Sequence, residues 1–379
     1  MEATRPMNPQ FSQNEIRKHV YSIPPLLLAE SEGLFQKAPE ILSGLAGKHV
    51  RSVLLTGCGY SYAACLAVQH AFQRITGLPV QVLPAIEAAR FTDTGNPGLP
   101  NTLLIAISHS GQVSRVNEAL ALYRKHGAPT IGVTGNPASE IREYCRFLFP
   151  ASDPPLGRAL PLRGFAMTCL ALLSIGCALA KAKNAAFPVS GITAEIARCA
   201  EDLAAALPRM DEEIQAFAAR VREAAAFEFI GAGYERGAAF LGKIEMMGQA
   251  GAVAVDEDPE QWLHCNFFMA GPERIGTMLF LSSGSQALSR GEEALEYLLH
   301  VGRPACVVTD GGGAAGAAMA VHVPRLTDVT AGLIEMTVPS LLTGYICEMR
   351  GETYSRGFRD QWSIFRDGRS TTKSRIIVQ

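Results

Sequence analysis

The sequence predicts a two-lobed α/β protein in which each lobe is a parallel sheet flanked by helices, a doubly wound, flavodoxin-like arrangement. Three observations predict it. Apolar, β-rich runs alternate with helical patterns along most of the chain. That alternation is written twice, with a stretch of small and polar residues between the halves. And 379 residues that are 48% hydrophobic but only 18% charged supply enough apolar surface for two well-packed cores.

Residues 10–46 read as helices interrupted at Pro24-Pro25. Strand runs follow at 52–56, 80–83, 103–107 and 130–133, with helical patterns at 62–75 and 114–126. Continuous apolar runs of this kind suit strands of a parallel sheet, which is covered on both faces. A long apolar helix over 164–182 closes the first half. It carries Thr168, Cys169, Ser174 and Cys177 and falls short of a membrane span, so a buried helix is expected. Residues 183–194, KNAAFPVSGITA, read as a linker. A helical stretch over 194–225 then leads to strand runs at 227–231, 278–282 and 305–309, with helices at 238–247 and 291–301. The expected divisions are a lead-in at 1–46, a first domain at 47–185, a second at 195–350 and a tail at 351–379.

Lysine and arginine (34) nearly balance aspartate and glutamate (36), and no basic stripe is interleaved with aromatics. Nucleic acid is therefore not an expected partner. The nine cysteines are scattered without a CxxC pair, which points to buried fillers in a reducing compartment rather than disulfides or a thiolate zinc site. The polar start has no secretory h-region, and no membrane partner is expected. A cytoplasmic location is expected. No histidine spacing suggests a metal, and neither metal nor nucleotide cofactor is expected.

The two halves echo one another. Gly57-Cys58-Gly59-Tyr60 is matched by Gly231-Ala232-Gly233-Tyr234, and TLLIAISHSGQVSR from Thr102 by TMLFLSSGSQALSR from Thr277. Duplication of one α/β unit is the simplest reading. In the first half, two strand-to-helix loops lie where a doubly wound sheet binds ligands, at the carboxyl edge. They offer Gly59, Ser61, Ser108, His109, Ser110 and Ser114. Glycines admit an anion close to the backbone, while hydroxyls and amides donate to phosphate oxygens. The plainer alternative makes Ser61 and Ser114 helix caps and the glycines turn residues. A dinucleotide fingerprint is disfavoured, because Tyr62 and Arg236 stand at its third glycine. Glu235 occupies the second-lobe position of Ser61. It would repel a phosphate, and a solvated first-turn glutamate is expected there.

The pattern G-C-G-Y-S followed by I-S-H-S-G-Q resembles the tandem sugar isomerase (SIS) domains of glucosamine-6-phosphate synthase and the fructosamine-6-phosphate deglycases. NEIRKHVYSIPPLL, IEMTVPSLLTGYICEMRG and the tail TTKSRIIV resemble further segments of that family. The resemblance implies sugar-phosphate binding by Ser61, Ser108, His109 and Ser110. His109 replaces the family glutamine, and Val113 stands at a frequent phosphate-binding threonine, with Ser114 next to it. Ala159-Leu160-Pro161-Leu162 replaces another family segment, where Arg158 or Arg163 would add positive charge. The resemblance also implies a ring-opening histidine at His264 and a carbonyl-directed lysine at Lys373. The family's proton-transferring glutamate falls on Glu245 once a short insertion is allowed, with Glu260 in reserve. Each has an ordinary alternative: an exposed helix-face Glu245, a packed His264, a solvated Lys373, a packing Trp262.

These residues lead to the expectation of a phosphosugar isomerase or deglycase acting on a ketosamine or amino-sugar 6-phosphate, working as a homodimer with shared sites. No glutaminase activity is implied. The competing class is a non-catalytic sugar-phosphate-binding regulatory protein.

Overall fold

The computed structural model describes residues 13–45, 49–156, 160–311, 319–352, 354 and 371–378. The described residues begin with helices α1 (Gln13–Tyr21) and α2 (Ile23–Ile41). The break between them is at Ser22 rather than at the prolines. Pro24 lies in the first turn of α2, where its missing N–H costs nothing.

The first lobe then runs β1 (Ser52–Gly57), α3 (Tyr60–Thr76), β2 (Val80–Pro84), α4 (Ala85–Arg90), β3 (Thr102–Ile107), α5 (Ser114–Lys125), β4 (Thr130–Thr134), α6 (Ile141–Tyr144), β5 (Phe147–Pro150) and α7 (Pro161–Lys183). The linker shrinks to residues 184–188. Beyond it, α8 (Val189–Val221) is one unbroken 33-residue helix that passes through Pro208.

The second lobe runs β6 (Ala226–Ile230), α9 (Arg236–Gly248), β7 (Val253–Glu257), α10 (Pro259–His264), β8 (Ile275–Phe280), α11 (Leu288–His300), β9 (Ala305–Thr309), β10 (Ala320–His322), α12 (Ala331–Glu335) and α13 (Thr337–Arg350).

Both sheets are entirely parallel, and both have the order 2-1-3-4-5. It appears as β2-β1-β3-β4-β5 in one lobe and β7-β6-β8-β9-β10 in the other. The duplication is thus real at the level of topology. Its register differs by two residues from the sequence echo in the third strands. The Ser108 N–H bonds the Val133 carbonyl as the Leu281 N–H bonds that of Val308. Gly111 therefore corresponds to Gly284, and His109 to Ser282, because strand pairing rather than residue identity fixes the loop's origin.

One hydrophobic cluster runs from α1 and α2 through α7 and α8 into α13 and joins the lobes. Helix α7 is apolar and long enough to cross a membrane, but 89% of its most apolar window is buried inside the fold, so it is a core helix here. The lobes meet closely along α3 and α9. A Cβ at Gly237 would lie 2.5 Å from Ala67 Cβ, and one at Gly332 2.7 Å from the same atom. Only glycine allows this approach. Gly237→Ala is expected to destabilise the protein by about 1–3 kcal/mol, the usual cost of overpacking, read as a lower urea midpoint.

Candidate active site

Each lobe turns from its first strand into a helix through a glycine pair. Gly59 and Gly233 both have positive φ (55° and 60°). A Cβ at Gly57 would sit 2.8 Å from Ser61 Cβ, and one at Gly231 would sit 2.9 Å from the Glu235 carbonyl oxygen. Both turns therefore need glycine for the same steric reason.

In the first lobe, Ser61 is half-buried, while Gly59, His109, Ser110 and Gln112 are exposed. Ser108 is buried. Its Oγ accepts the Val113 N–H at 3.4 Å and keeps its own proton to donate. Ser110 Oγ accepts the Gln112 N–H at 3.3 Å. Gly111, at φ 68°, turns the loop where any side chain would overlap Ser139. Neither Ser61 nor Ser114 caps its helix through its side chain; the N-cap positions belong to Gly59 and Val113. Arg163 is buried, donates to Ser22 Oγ (2.8 Å) and the Pro154 carbonyl (3.0 Å), and among the described residues meets the loop only through Asp153, 3.8 Å away. Asp153 lies 3.4 Å from His109 Nε2. Arg158 and Ala159 lie outside the described residues.

The tail returns to this loop. The Ser114 N–H donates to the Thr371 carbonyl at 3.0 Å. Arg115 reaches Ser374 Oγ (3.1 Å) and the Arg375 carbonyl, which Arg90 also contacts. Buried Glu118 holds Arg90 at 2.8 Å, pairs with Arg115 and accepts the Ile377 N–H at 2.8 Å. The exposed Lys373 is thereby carried beside the start of α5. Sequence reasoning missed Arg90, Arg115 and Glu118, which no local motif distinguishes from surface charges on α4 and α5.

Glu245 is not on an exposed helix face: it is buried at the junction of the lobes. Its Oε1 accepts from the Ser340 hydroxyl at 2.9 Å and from the Tyr60 hydroxyl at 3.2 Å. Gln249 donates to Tyr60 at 3.0 Å. Burial pushes the Glu245 carboxyl up to about 8, against the opposing pull of the Ser340 and Tyr60 hydroxyls. Tyr354 is enclosed beside it and raised by burial and then by Glu245 itself.

Glu260 and His264 sit elsewhere, exposed on α10. His264 Nε2 is 3.0 Å from Glu260, and Arg290 holds the same carboxylate at 2.6 Å. Arg290 first, then His264, holds Glu260 below the ordinary carboxylate range, the wrong direction for a base at neutral pH. No hydrogen bond or ion pair joins this patch to Glu245 or the first-lobe loops among the described residues. Trp262 is a packing residue that donates to Glu228 at 2.8 Å.

Glu235 departs most from expectation. It is buried, not solvated. Its Oε1 accepts the Ser282 N–H at 2.6 Å and its Oε2 the Ser285 hydroxyl at 3.1 Å. Cys58 and Cys265 are exposed, whereas the other seven cysteines are buried as expected.

Two stability tests follow from these contacts. Folding carries Glu245 from the ordinary carboxylate value to about 8, so the folded chain holds a proton that the unfolded chain releases. Stability conferred by that group is complete below the ordinary value and is lost as pH rises to about 8. Glu245→Gln is expected to make the fall in urea stability over this window shallower. Glu118→Ala is expected to speed hydrogen exchange at the Ile377 amide roughly tenfold or more, since a hydrogen bond to a charged group contributes about 1.5–3 kcal/mol.

Residues 48–182 match the SIS domain. Human glutamine–fructose-6-phosphate aminotransferase 2 is 29% identical over 148 residues, 37% of this chain and 21% of that protein. Its Mycolicibacterium paratuberculosis counterpart is 30% identical over 143 residues, 37% of this chain and 22% of that protein. The chain thus spans about a fifth of the length of these curated relatives. Among solved structures, the C-terminal domain of glucosamine-fructose-6-phosphate aminotransferase from Francisella tularensis aligns with a TM-score of 0.77 at 17% identity, covering 90% of this chain and 98% of that one. Glucosamine-6-phosphate deaminase from Thermotoga maritima aligns at 0.62 with 19% identity, covering 86% and 95%. At such identities the structural likeness establishes the fold. The match to the SIS domain covers the first lobe, and the second lobe repeats the same five-stranded parallel order in tandem.

Proposed function

We propose that this chain is a phosphosugar isomerase or deglycase that acts on a ketosamine or amino-sugar 6-phosphate by ring opening and proton transfer between C1 and C2. The observation that carries the reading is Glu245. A carboxyl of the second lobe touches Tyr60, within the glycine loop of the first, and is held at about 8. A base that gains its charge near working pH suits abstraction of a weakly acidic carbon-bound proton.

In this reading the phosphate rests on Ser61, the Ser108–His109–Ser110 loop and Ser114, with Gly59 allowing close approach. Glu245, deprotonated, takes the proton from one carbon and returns it to the other. The Tyr60 and Ser340 hydroxyls stabilise its carboxylate before the first transfer and after the second. Lys373, brought in by the docked tail, faces the oxygen on which negative charge develops. His264 and Glu260 belong to an exposed patch, consistent with His264 serving the site of a dimer partner.

The enclosure of Glu245, 1% exposed, favours a second reading: a sugar-phosphate-binding regulatory protein without turnover. An NMR time course with fructosamine 6-phosphates and hexosamine 6-phosphates separates the two. The enzyme reading expects turnover that falls about 10²–10⁴-fold in Glu245→Gln, the span typical of a lost general base. Unchanged sugars, together with binding that Ser108→Ala abolishes, would establish the regulatory reading instead.

A further inference from the structure

The two lobes share a topology but differ at one position that decides what their loops hold. Where the first lobe has Ser61, the second has Glu235, and strand register places Ser282, Ser283 and Ser285 opposite His109, Ser110 and Gln112. In the second lobe these loop donors are answered by the chain's own carboxylates. Glu235 takes the Ser282 N–H at 2.6 Å and the Ser285 hydroxyl at 3.1 Å. Asp310, at the end of β9, takes the Ser283 N–H at 2.7 Å. Its first-lobe counterpart is Gly135, since Thr134 and Thr309 accept equivalent N–H groups, from Ala151 and Val323.

We propose that the second lobe is a latent phosphate-monoester site whose anion position is filled from within by Glu235 and Asp310. The proposal rests on the reading of the first-lobe loops as a phosphate site. Two backbone amides and a hydroxyl converging on negative oxygens form the donor set that an anion-binding loop presents. The loop also borders a cleft of about 580 Å³ lined by Gly233, Tyr234, Gly284, Ser285 and Gln286, with His70 and Arg74 across the lobe junction. The body of a phosphate monoester has room there.

The internal anions come at an electrostatic cost that a structural accident would not be expected to retain. Burial first, with Asp310 adding to it, raises Glu235 to about 7 against the pull of Ser282 and Ser285. Glu335 is fully buried beside them, with neither carboxyl oxygen hydrogen-bonded, and is raised well above the usual range by burial, Glu235 and Asp310. Filling the loop keeps its amides satisfied without ligand and restricts each chain to one phosphate.

The test restores the first-lobe residues. Inorganic phosphate is titrated calorimetrically into the full wild-type chain and into Glu235→Ser/Asp310→Gly. One phosphate per wild-type chain, two per variant chain, and a return to one on adding Ser285→Ala are expected. A folded double variant that binds no more phosphate than wild type overturns the proposal. Wild type that binds none while the variant binds one, Ser285-dependent, phosphate refutes the first-lobe reading but not the anion-accepting geometry of the second. Should the double variant fail to fold, Ser285→Ala alone decides the matter. Loss of its hydroxyl is expected to move the carbon-13 carboxyl titration of Glu235 upward, and an unmoved midpoint overturns the proposal.

Discussion

The close approach of α3 and α9 is the constraint on which the rest of the molecule depends. Ala67 of α3 lies against Gly237 and Gly332, leaving no space for another methyl group. With the helices at that separation, Tyr60 at the start of α3 reaches Glu245 near the end of α9. The contact is long-range, 185 residues apart in sequence. It closes a polar junction inside an otherwise apolar seam. Buried polar groups of this kind are costly unless paired, and burial, with Oε2 left unpaired, raises the proton affinity of Glu245 against the opposing hydrogen bonds that Oε1 accepts.

Duplication explains the frame, and departure from symmetry explains the site. Both lobes use glycine at the same turns for the same steric reason, and both place a serine-rich loop at the carboxyl edge of the third strand. The divergence is in charge. The first lobe keeps Ser61 and an open loop, onto which the tail docks through Thr371, while the second fills its loop with Glu235 and Asp310. One duplicated unit thus gives one loop with exposed residues and one whose donors are met by the chain's own carboxylates.

The tail shows how a charged network positions a segment that has no core of its own. Glu118 is buried and holds two arginines, and those arginines in turn grip the backbone and Ser374 of the tail. A buried carboxylate between two guanidinium groups is well compensated, and a directional donor set fixes the position of the segment it touches.

The sequence by itself determined the two lobes, the alternation of strands and helices and the first-lobe loops, because apolar periodicity and glycine turns are local properties. It left out β5, β7 and β10. These strands are short, lie toward the edges and in β7 are only partly buried, so their apolar runs are too brief to register. The two first-lobe loops that carry Gly59 to Ser114 were legible as strand-to-helix turns, and Glu245 was singled out only through resemblance. What tertiary structure alone decided was environment: that Glu245 is enclosed against Tyr60, that Glu235 is buried rather than solvated, and that Glu260 and His264 share an exposed patch. Proton affinity depends on desolvation and on partners brought from distant parts of the chain, and neither is encoded in the residues next to a carboxylate.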